Sequence, residues 1–193
     1  AELRVDVELV RLQQDFTATA PNQKWVVDLT YIPTTEGWLY LAVVLDLYSR
    51  RVVGWSMEER MTSKLTRAAL RMALVRRHPL AGLLHHSDRG SQYTADDYQA
   101  MLKAQQMVVS MNGAGSWYDN AAMESFFGTL KSELVHQWGQ RTRDEARTAL
   151  FFYLEGFYNR QRLHSSLGYR SPEAYEQIES QKAVHALTLC PQN

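Results

Sequence analysis

Residues 25–57 read "WVVDLTYIPTTEGWLYLAVVLDLYSRRVVGWSM", and the periodicity of this stretch decides the fold. From Trp25 to Ile32 the chain alternates, so that Val26, Asp28, Thr30 and Ile32 share one side of an extended strand while Trp25, Val27, Leu29 and Tyr31 share the other. "PTTEG" is turn chemistry, and "WLYLAVVLDLYS" returns as a long second strand, making a hairpin. After a turn at Ser49 and Arg50, "RVVGWSM" supplies a third strand. The expectation is an antiparallel meander.

Beyond it the period changes. Leu65, Ala68, Ala69, Met72 and Val75 recur at helical spacing between Thr62 and Arg77, with Pro79 just past the end. "LAGLLHHS" reads as a short apolar strand, "TADDYQAMLKAQQ" as a helix that Thr94 caps with Asp97 three residues on, and "MVVSM" as a fifth strand. The glycine-containing loop "NGAGSWYDN" then leads to helices at about 120–137 and 142–158. Strands joined through helices pair in parallel by right-handed crossovers. The expected fold class is therefore α/β: a mixed five-stranded sheet, three antiparallel strands followed by helix, strand, helix, strand, flanked by helices. That is the element order of ribonuclease H-like folds, which host many chemistries, so function has to be read from side chains.

The 193 residues suffice for one domain with a sizeable core, and 45% hydrophobic with 22% charged residues is ordinary for a globular protein. No apolar run reaches the length of a membrane span, since Asp46 interrupts "WLYLAVVLDLY", and "AELRVDVELV" lacks the layout of a signal peptide. A cytoplasmic protein is expected. The chain begins with Ala, which suggests a processed chain or a fragment of something longer. A single cysteine, Cys190, excludes a disulfide framework and a cysteine-based zinc site. The formal net charge of zero argues against a general nucleic-acid binder, yet the charge is polarised. Residues 1–49 hold three basic and seven acidic side chains, whereas residues 50–78 hold Arg50, Arg51, Arg60, Lys64, Arg67, Arg71, Arg76 and Arg77 against Glu58 and Glu59. A second basic cluster comprises Arg160, Arg162, His164 and Arg170. For Lys64, Arg67 and Arg71 the simpler reading is the solvated face of a helix.

Three acids occupy positions that ask for an explanation. The apolar strand "LLHHS" stops on Asp88, and a carboxylate at the end of a buried strand is costly unless a cap, a salt bridge or a metal ion compensates it. Asp28 lies within the first strand, and Glu124 in the first turns of the helix opened by "DNAAMESFFGTLK". If strands one and four are neighbours, Asp28 and Asp88 stand side by side and Glu124 approaches from above. Clustered carboxylates repel one another unless a cation is bound, and magnesium prefers a few carboxylate oxygens with positions left for water and phosphate. Two such ions about 4 Å apart can activate an attacking oxygen and stabilise a leaving one in phosphodiester chemistry. On the same helix Met123, Phe126, Phe127, Leu130 and Leu134 form an apolar stripe, with Glu124 at its edge and Lys131 seven residues on in nearly the same lane. Gly128 between them adds no bulk, so the lane suits a metal beside a phosphate backbone; an ordinary amphipathic helix is the bland alternative.

"WVVDLTYI", "LYLAVVLDLYSRRVVGW", "HSDRGSQY", "YDNAAMESFFGTLKSE" and "FYNRQRLHSSLGYRSPEAY" together resemble the catalytic part of a DDE transposase of the bacterial insertion-sequence type, in the integrase-core superfamily that includes retroviral integrases. The resemblance runs from about Asn22 to Tyr175 with its motifs in order, and the thirty-five residues between Asp88 and Glu124 match the family's spacing. It implies that Asp28, Asp88 and Glu124 are the catalytic, metal-binding triad, with two Mg2+ ions or Mn2+ in their place. It implies DNA contacts through Lys131, with Arg89, Arg162 and His164 as further candidates. The implied activity is that of a polynucleotidyl transferase, which cuts DNA ends and joins the 3′ hydroxyl to target DNA as a homo-oligomer, at the nucleoid and away from membranes. Helix-turn-helix segments that recognise the terminal repeats would lie upstream of residue 1 or on a separate subunit. Residues 1–22 are then expected as a linker or remnant of a DNA-binding region, 23–178 as the catalytic core and 179–193 as a tail. One departure is Ala114, where family members commonly carry a basic residue. Two rival readings are a catalytically silent DNA-binding or assembly fragment, and a nuclease of the same fold without strand transfer.

The remaining acids and histidines have structural readings. Asp46 falls three or four positions out of register from Asp28 and is expected to pair with Arg50 or Arg51. Asp119 and Asn120 are expected as helix caps. His86 shares the side of Asp88 and His85 points the other way. Arg162 and His164 could equally pack the tail.

Overall fold

The structure, a computed structural model, describes residues 17–111 and 121–189. Its sheet is built from β1 (Lys24–Thr34), β2 (Gly37–Asp46), β3 (Val52–Glu58), β4 (Leu84–Ser87) and β5 (Val108–Met111), in the spatial order β3-β2-β1-β4-β5. β1, β2 and β3 pair antiparallel as the meander, while β4 joins β1 in parallel and β5 joins β4 in parallel. The mixed five-stranded sheet is the expected one. β1 is its centre, so both faces of β1 must be covered.

The alternation in β1 separates two cores. Val26 and Ile32 pack with Leu41, Val43 and Leu45 of β2 against Met123, Phe126, Phe127 and Leu130 of α4 (Ala121–Glu133) and Leu150 of α5 (Arg143–Phe151). Trp25 and Val27 pack with Ala42, Val44 and Val53 against Leu65, Ala69, Leu70 and Ala73 of α1 (Ser63–Arg77), together with Tyr93 of α2 (Ser91–Thr94) and Tyr98 and Leu102 of α3 (Asp96–Ala104). At about 25 cal/mol per Å2 of apolar surface, two such layers are the main stabilising contribution.

Two local expectations are corrected. The buried stripe of α1 is Leu65, Thr66, Ala69, Leu70 and Ala73, and Val75 is 65% exposed. The reason is the close crossing of α1 over β3: a Cβ at Gly54 would collide with the Ala69 carbonyl and with Ala73, so small residues have to face the sheet. Thr94 caps nothing; it closes the short helix α2, its hydroxyl donates to the Gly90 carbonyl, and α3 begins after Ala95 without a side-chain cap. Asp97 instead accepts from Ser63 and pairs with Arg67 at 2.8 Å.

After α4 the chain makes a 3-10 turn at Val135–Gln137, and α5 opens on a capping box formed by Thr142 and Glu145. α5 continues into a π-helical segment, Phe152–Tyr158, which delivers Asn159 to the start of β3. There the Asn159 amide donates to the Val52 carbonyl and accepts from the Val52 N–H, both at 2.9 Å. A last helix, α6 (Pro172–Leu189), was not anticipated from the sequence pattern. No helix among the described residues is long and apolar enough to cross a membrane.

Candidate active site

The parallel ladder pairs Val26 with His86, and Asp28 and Asp88 follow two residues further along each strand. Adjacent strands lie about 4.8 Å apart, so continuing this register makes the two acids neighbours. Asp28 also stands opposite Val43, on the sheet face that α4 covers. Glu124 sits on the exposed side of α4, one residue after buried Met123.

Electrostatics link the three. The Asp28 carboxyl is pushed up to about 6, chiefly by burial; the Leu29 N–H, which donates at 2.7 Å, opposes the shift, and the nearby charges of Asp88 and Glu124 add to it. Like charges close to a partly buried carboxylate raise its pKa in this way, and a divalent cation would reverse the effect. The donor set is all oxygen and suits a hard cation. Among the described residues no group of three or more His, Cys, Asp or Glu is drawn together closely enough to hold a metal ion. The acids thus interact through space without forming a closed ligand sphere.

Local sequence explains how Asp88 is held. The Gly90 N–H donates to Asp88 Oδ1 at 2.9 Å, and a Cβ on Gly90 would come within 2.9 Å of that same oxygen. The strand therefore stops on a carboxylate whose turn closes over a glycine. Beneath it, His85 is hydrogen-bonded to the Tyr98 hydroxyl and His86 to the Ser110 hydroxyl, both at 2.9 Å, on opposite faces as the alternation requires. Burial lowers the His85 imidazole to about 3, so that ring stays neutral.

Tyr93, on α2 just after Asp88, lies close to these groups. It is 1% exposed, and its hydroxyl has no hydrogen-bond partner among the described residues. Burial first, and then Tyr98, Asp28 and Asp88, hold that phenol protonated well above its ordinary range. An apolar-looking tyrosine carries no sequence signal for this position; only the topology brings its field to the two acids.

The expected DNA contacts are placed less uniformly. Lys131 projects from α4 with its Nζ 5.1 Å from the centre of the Tyr31 ring. Arg89 is exposed beside Asp88 and has no ion pair among the described residues. Arg162 is held by Glu133 at 2.8 Å, and its NH1 reaches His164 Nδ1 at 3.3 Å. His164 is lowered to about 4 by burial and then by Arg162 and Arg50. These two side chains line a cavity of about 540 Å3 on the other flank of α4, together with Arg50, Ser125 and Thr129. The first basic cluster is largely spent inside the molecule: Lys64 pairs with Glu58, Arg67 with Asp97, Arg76 with Glu155 and Arg77 with Glu176. Asp46 does not pair with Arg50 or Arg51. It accepts from the Asn22 and Tyr48 N–H groups and from the Trp25 indole, with Arg77 at 3.6 Å, because it stands opposite Trp25 in the ladder, on the side of the sheet that α1 covers. Ala114, Asp119 and Asn120 lie outside the described residues.

A mixed sheet with one acid inside its central strand β1, a second just past the end of the neighbouring β4 and a third on the helix that covers the same face has the layout of a ribonuclease H-like domain. Solved structures agree: the HTLV-2 integrase catalytic core domain in complex with magnesium is 18% identical and superposes with a TM-score of 0.62, over 83% of this chain and 99% of that one. The catalytic core domain of BIV integrase is 19% identical with a TM-score of 0.61, over 84% and 99%. At the level of sequence, residues 18–116 match one family model described as an integrase core domain and residues 105–172 match a second of the same description. The chain belongs to the integrase core domain family, in its insertion-sequence transposase branch. It is 52% identical over 173 residues to the insertion element IS600 31 kDa protein of Shigella sonnei, covering 90% of this chain and 64% of the relative. It is 49% identical over 169 residues to the transposase of IS904 from Lactococcus lactis, covering 88% and 67%, and 52% identical over 165 residues to the transposase InsF of IS3A from Escherichia coli K12, covering 86% and 57%. The chain thus spans roughly three-fifths of the length of these curated relatives.

Proposed function

We propose that this chain is the catalytic core of a DNA transposase, a polynucleotidyl transferase that cleaves the ends of a mobile element and joins them to target DNA. The observation that carries the reading is the coupling of Asp28, Asp88 and Glu124 on one sheet face. The named relatives act in transposition, and the fold is that of integrase cores.

Asp28, Asp88 and Glu124 would hold a pair of divalent ions, magnesium by the hardness of the donor set. Such ions, when bound, supply charge stabilisation at the phosphodiester and make an attacking oxygen available near neutral pH. The chain's own groups divide the rest of the work. The Gly90 N–H fixes the orientation of Asp88, and the raised pKa of Asp28 leaves its carboxylate favouring a cation beside it. Lys131 holds a backbone phosphate as a point charge and Arg89 lies where it can hold another. In the first step a water oxygen forms a bond to phosphorus as the bond to the 3′ oxygen breaks, and that oxygen takes up a proton. In the second the freed 3′ hydroxyl forms the new phosphodiester, its proton is released, and the displaced 3′ oxygen of the target is protonated.

Incubating the chain with a labelled donor duplex and target DNA in magnesium tests this. Joined product is expected, and Glu124→Gln should lower both cleavage and joining by a factor on the order of a thousand or more while DNA affinity persists. Cleavage without joining would make the chain a nuclease of the same fold. DNA binding with neither reaction would make it a silent assembly fragment.

A further inference from the structure

The hairpin that carries Asp28 has an unexplained surface at its far end. β1 runs on past Asp28 to Thr34, whereas its parallel neighbour β4 stops at Ser87. Tyr31 lies three residues beyond Asp28, about 10 Å at roughly 3.3 Å per residue. Across the hairpin it meets Trp38, their ring centres 4.8 Å apart and their planes at 71°. Neither ring enters either core: Tyr31 is 54% exposed and Trp38 49%. The rings stand on the strand that carries Asp28 but on its other side, and two half-exposed rings packed edge to face are costly to leave in water without a use.

The surroundings say what would cover them. Lys131 sits 5.1 Å above the Tyr31 ring, so a cation stands at the border of the aromatic pair. The rings are also held firmly. The Thr35 N–H donates to the Arg141 carbonyl at 2.8 Å, and Glu36 accepts from the Arg143 N–H at 2.7 Å, which braces the hairpin tip against the start of α5. A rigid aromatic surface with a lysine at its edge matches the way unpaired nucleobases are bound: the base stacks, and the cation takes the adjoining phosphate. A protein partner would call for a wider apolar patch than the two rings and Pro33, which pairs with Trp38, and the hairpin tip beyond them is polar, Thr34, Thr35 and Glu36.

We infer that Tyr31 and Trp38 form a stacking platform for an unpaired nucleobase at a DNA end, with Lys131 holding a phosphate of the same strand. This rests on the reading of the chain as a DNA-end-processing core. It adds a contact that senses whether the end of the duplex has opened. The platform would favour frayed or overhanging ends over blunt ones, with little preference among bases, because every base offers a stacking face.

The test uses the 193-residue chain, in buffer free of divalent ions so that binding is separated from chemistry. Affinity is measured for a blunt duplex, for the same duplex with a short single-stranded tail, and for that tail made abasic; 2-aminopurine in the tail reports stacking. The tail should tighten binding and the abasic tail should not. Tyr31→Ala and Trp38→Ala should each weaken the tailed duplex roughly five- to hundredfold. Tyr31→Phe and Trp38→Tyr should keep most of the effect, which shows that ring faces and not fold are at stake. The aromatic variants should leave the salt dependence unchanged, while Lys131→Ala lowers it by about one ion. Equal binding of abasic and normal tails, or alanine variants that retain the preference, would overturn the platform while leaving the DNA reading intact. Alanine variants that shift the sedimenting mass of the chain and not its preference for the tail would make the rings a contact between copies. Failure to bind any of the three duplexes would remove the DNA reading itself.

Discussion

Two groups of acids flank β1, and they are built in opposite ways. Near Trp25, Asp46 is fully buried and Glu176 nearly so, and the cations that answer them come from the chain: Arg77 pairs with both, and Arg51 pairs with Glu176 and Glu173. Burial opposes ionisation of Glu176, but its bonds from Arg77, Ser49 and Arg51 outweigh it and hold the carboxyl below its ordinary range. At Asp28 burial is the main cause that raises the carboxyl, as it also raises Asp46, but the nearby charges of Asp88 and Glu124 add to the rise at Asp28, whereas Arg77 counters it at Asp46. One end of the strand is an internally neutralised strap that ties α6 to the sheet. The other accumulates negative charge, as a site for an external cation requires. Substitutions at the two ends should therefore differ in sign.

The largest stability effect is expected at the strap. Glu176→Gln removes a charge that two arginines share, leaves both under-compensated, and should cost about 2–3 kcal/mol, read as a lower denaturation midpoint in urea with an unchanged slope. At the other end Asp28→Asn should stabilise the metal-free protein at pH 8 by about 1 kcal/mol, since it deletes a carboxylate held among like charges. The pH dependence follows the same sign. An acid whose folded pKa lies above its unfolded value contributes stability at low pH and loses it as pH rises from the ordinary 3.8 to about 6. In thermal melts without metal, the advantage of Asp28→Asn should thus grow across that interval and level off above it. A destabilised Asp28→Asn protein at pH 8 would break the comparison. Smallest is Lys131, which has no ion pair among the described residues and meets only the Tyr31 ring. Lys131→Ala should leave the melting temperature within about 1 °C, a surface substitution, and reveal itself only in the salt dependence of DNA affinity.

The same contrast explains what the sequence disclosed. The alternation of Trp25 to Ile32 gave strand, faces and register, because burial on both sides leaves a period of two no freedom to slip. The abrupt stop at Asp88 and the lane from Glu124 to Lys131 were legible since charge at the edge of an apolar pattern is conspicuous. The strap was not. Asp46 looked like a partner for the nearest arginines, but its cation comes from Arg77 at the far end of α1, a contact made by folding and not by spacing. α6 escaped notice because residues 180–185 are exposed and show no apolar stripe. The phase of α1 was misread because Gly54, a residue on another element, decides which of its alanines face inward. Nothing in the pattern sets Tyr31 and Trp38 apart from core aromatics; their exposure does.

The central claim is that Asp28, Asp88 and Glu124 act as one cation-binding set, and the most direct measurement is the titration of the Asp28 carboxyl by carbon-detected NMR with and without magnesium. Without the ion its pKa should lie at about 6, and Glu124→Gln should lower it. Saturating magnesium should drive it below the ordinary carboxylate range and shift the Asp88 and Glu124 carboxyl resonances over the same ion concentrations. An Asp28 pKa that stays at about 6 while magnesium is raised to saturation, with Asp88 and Glu124 unmoved, would contradict the account.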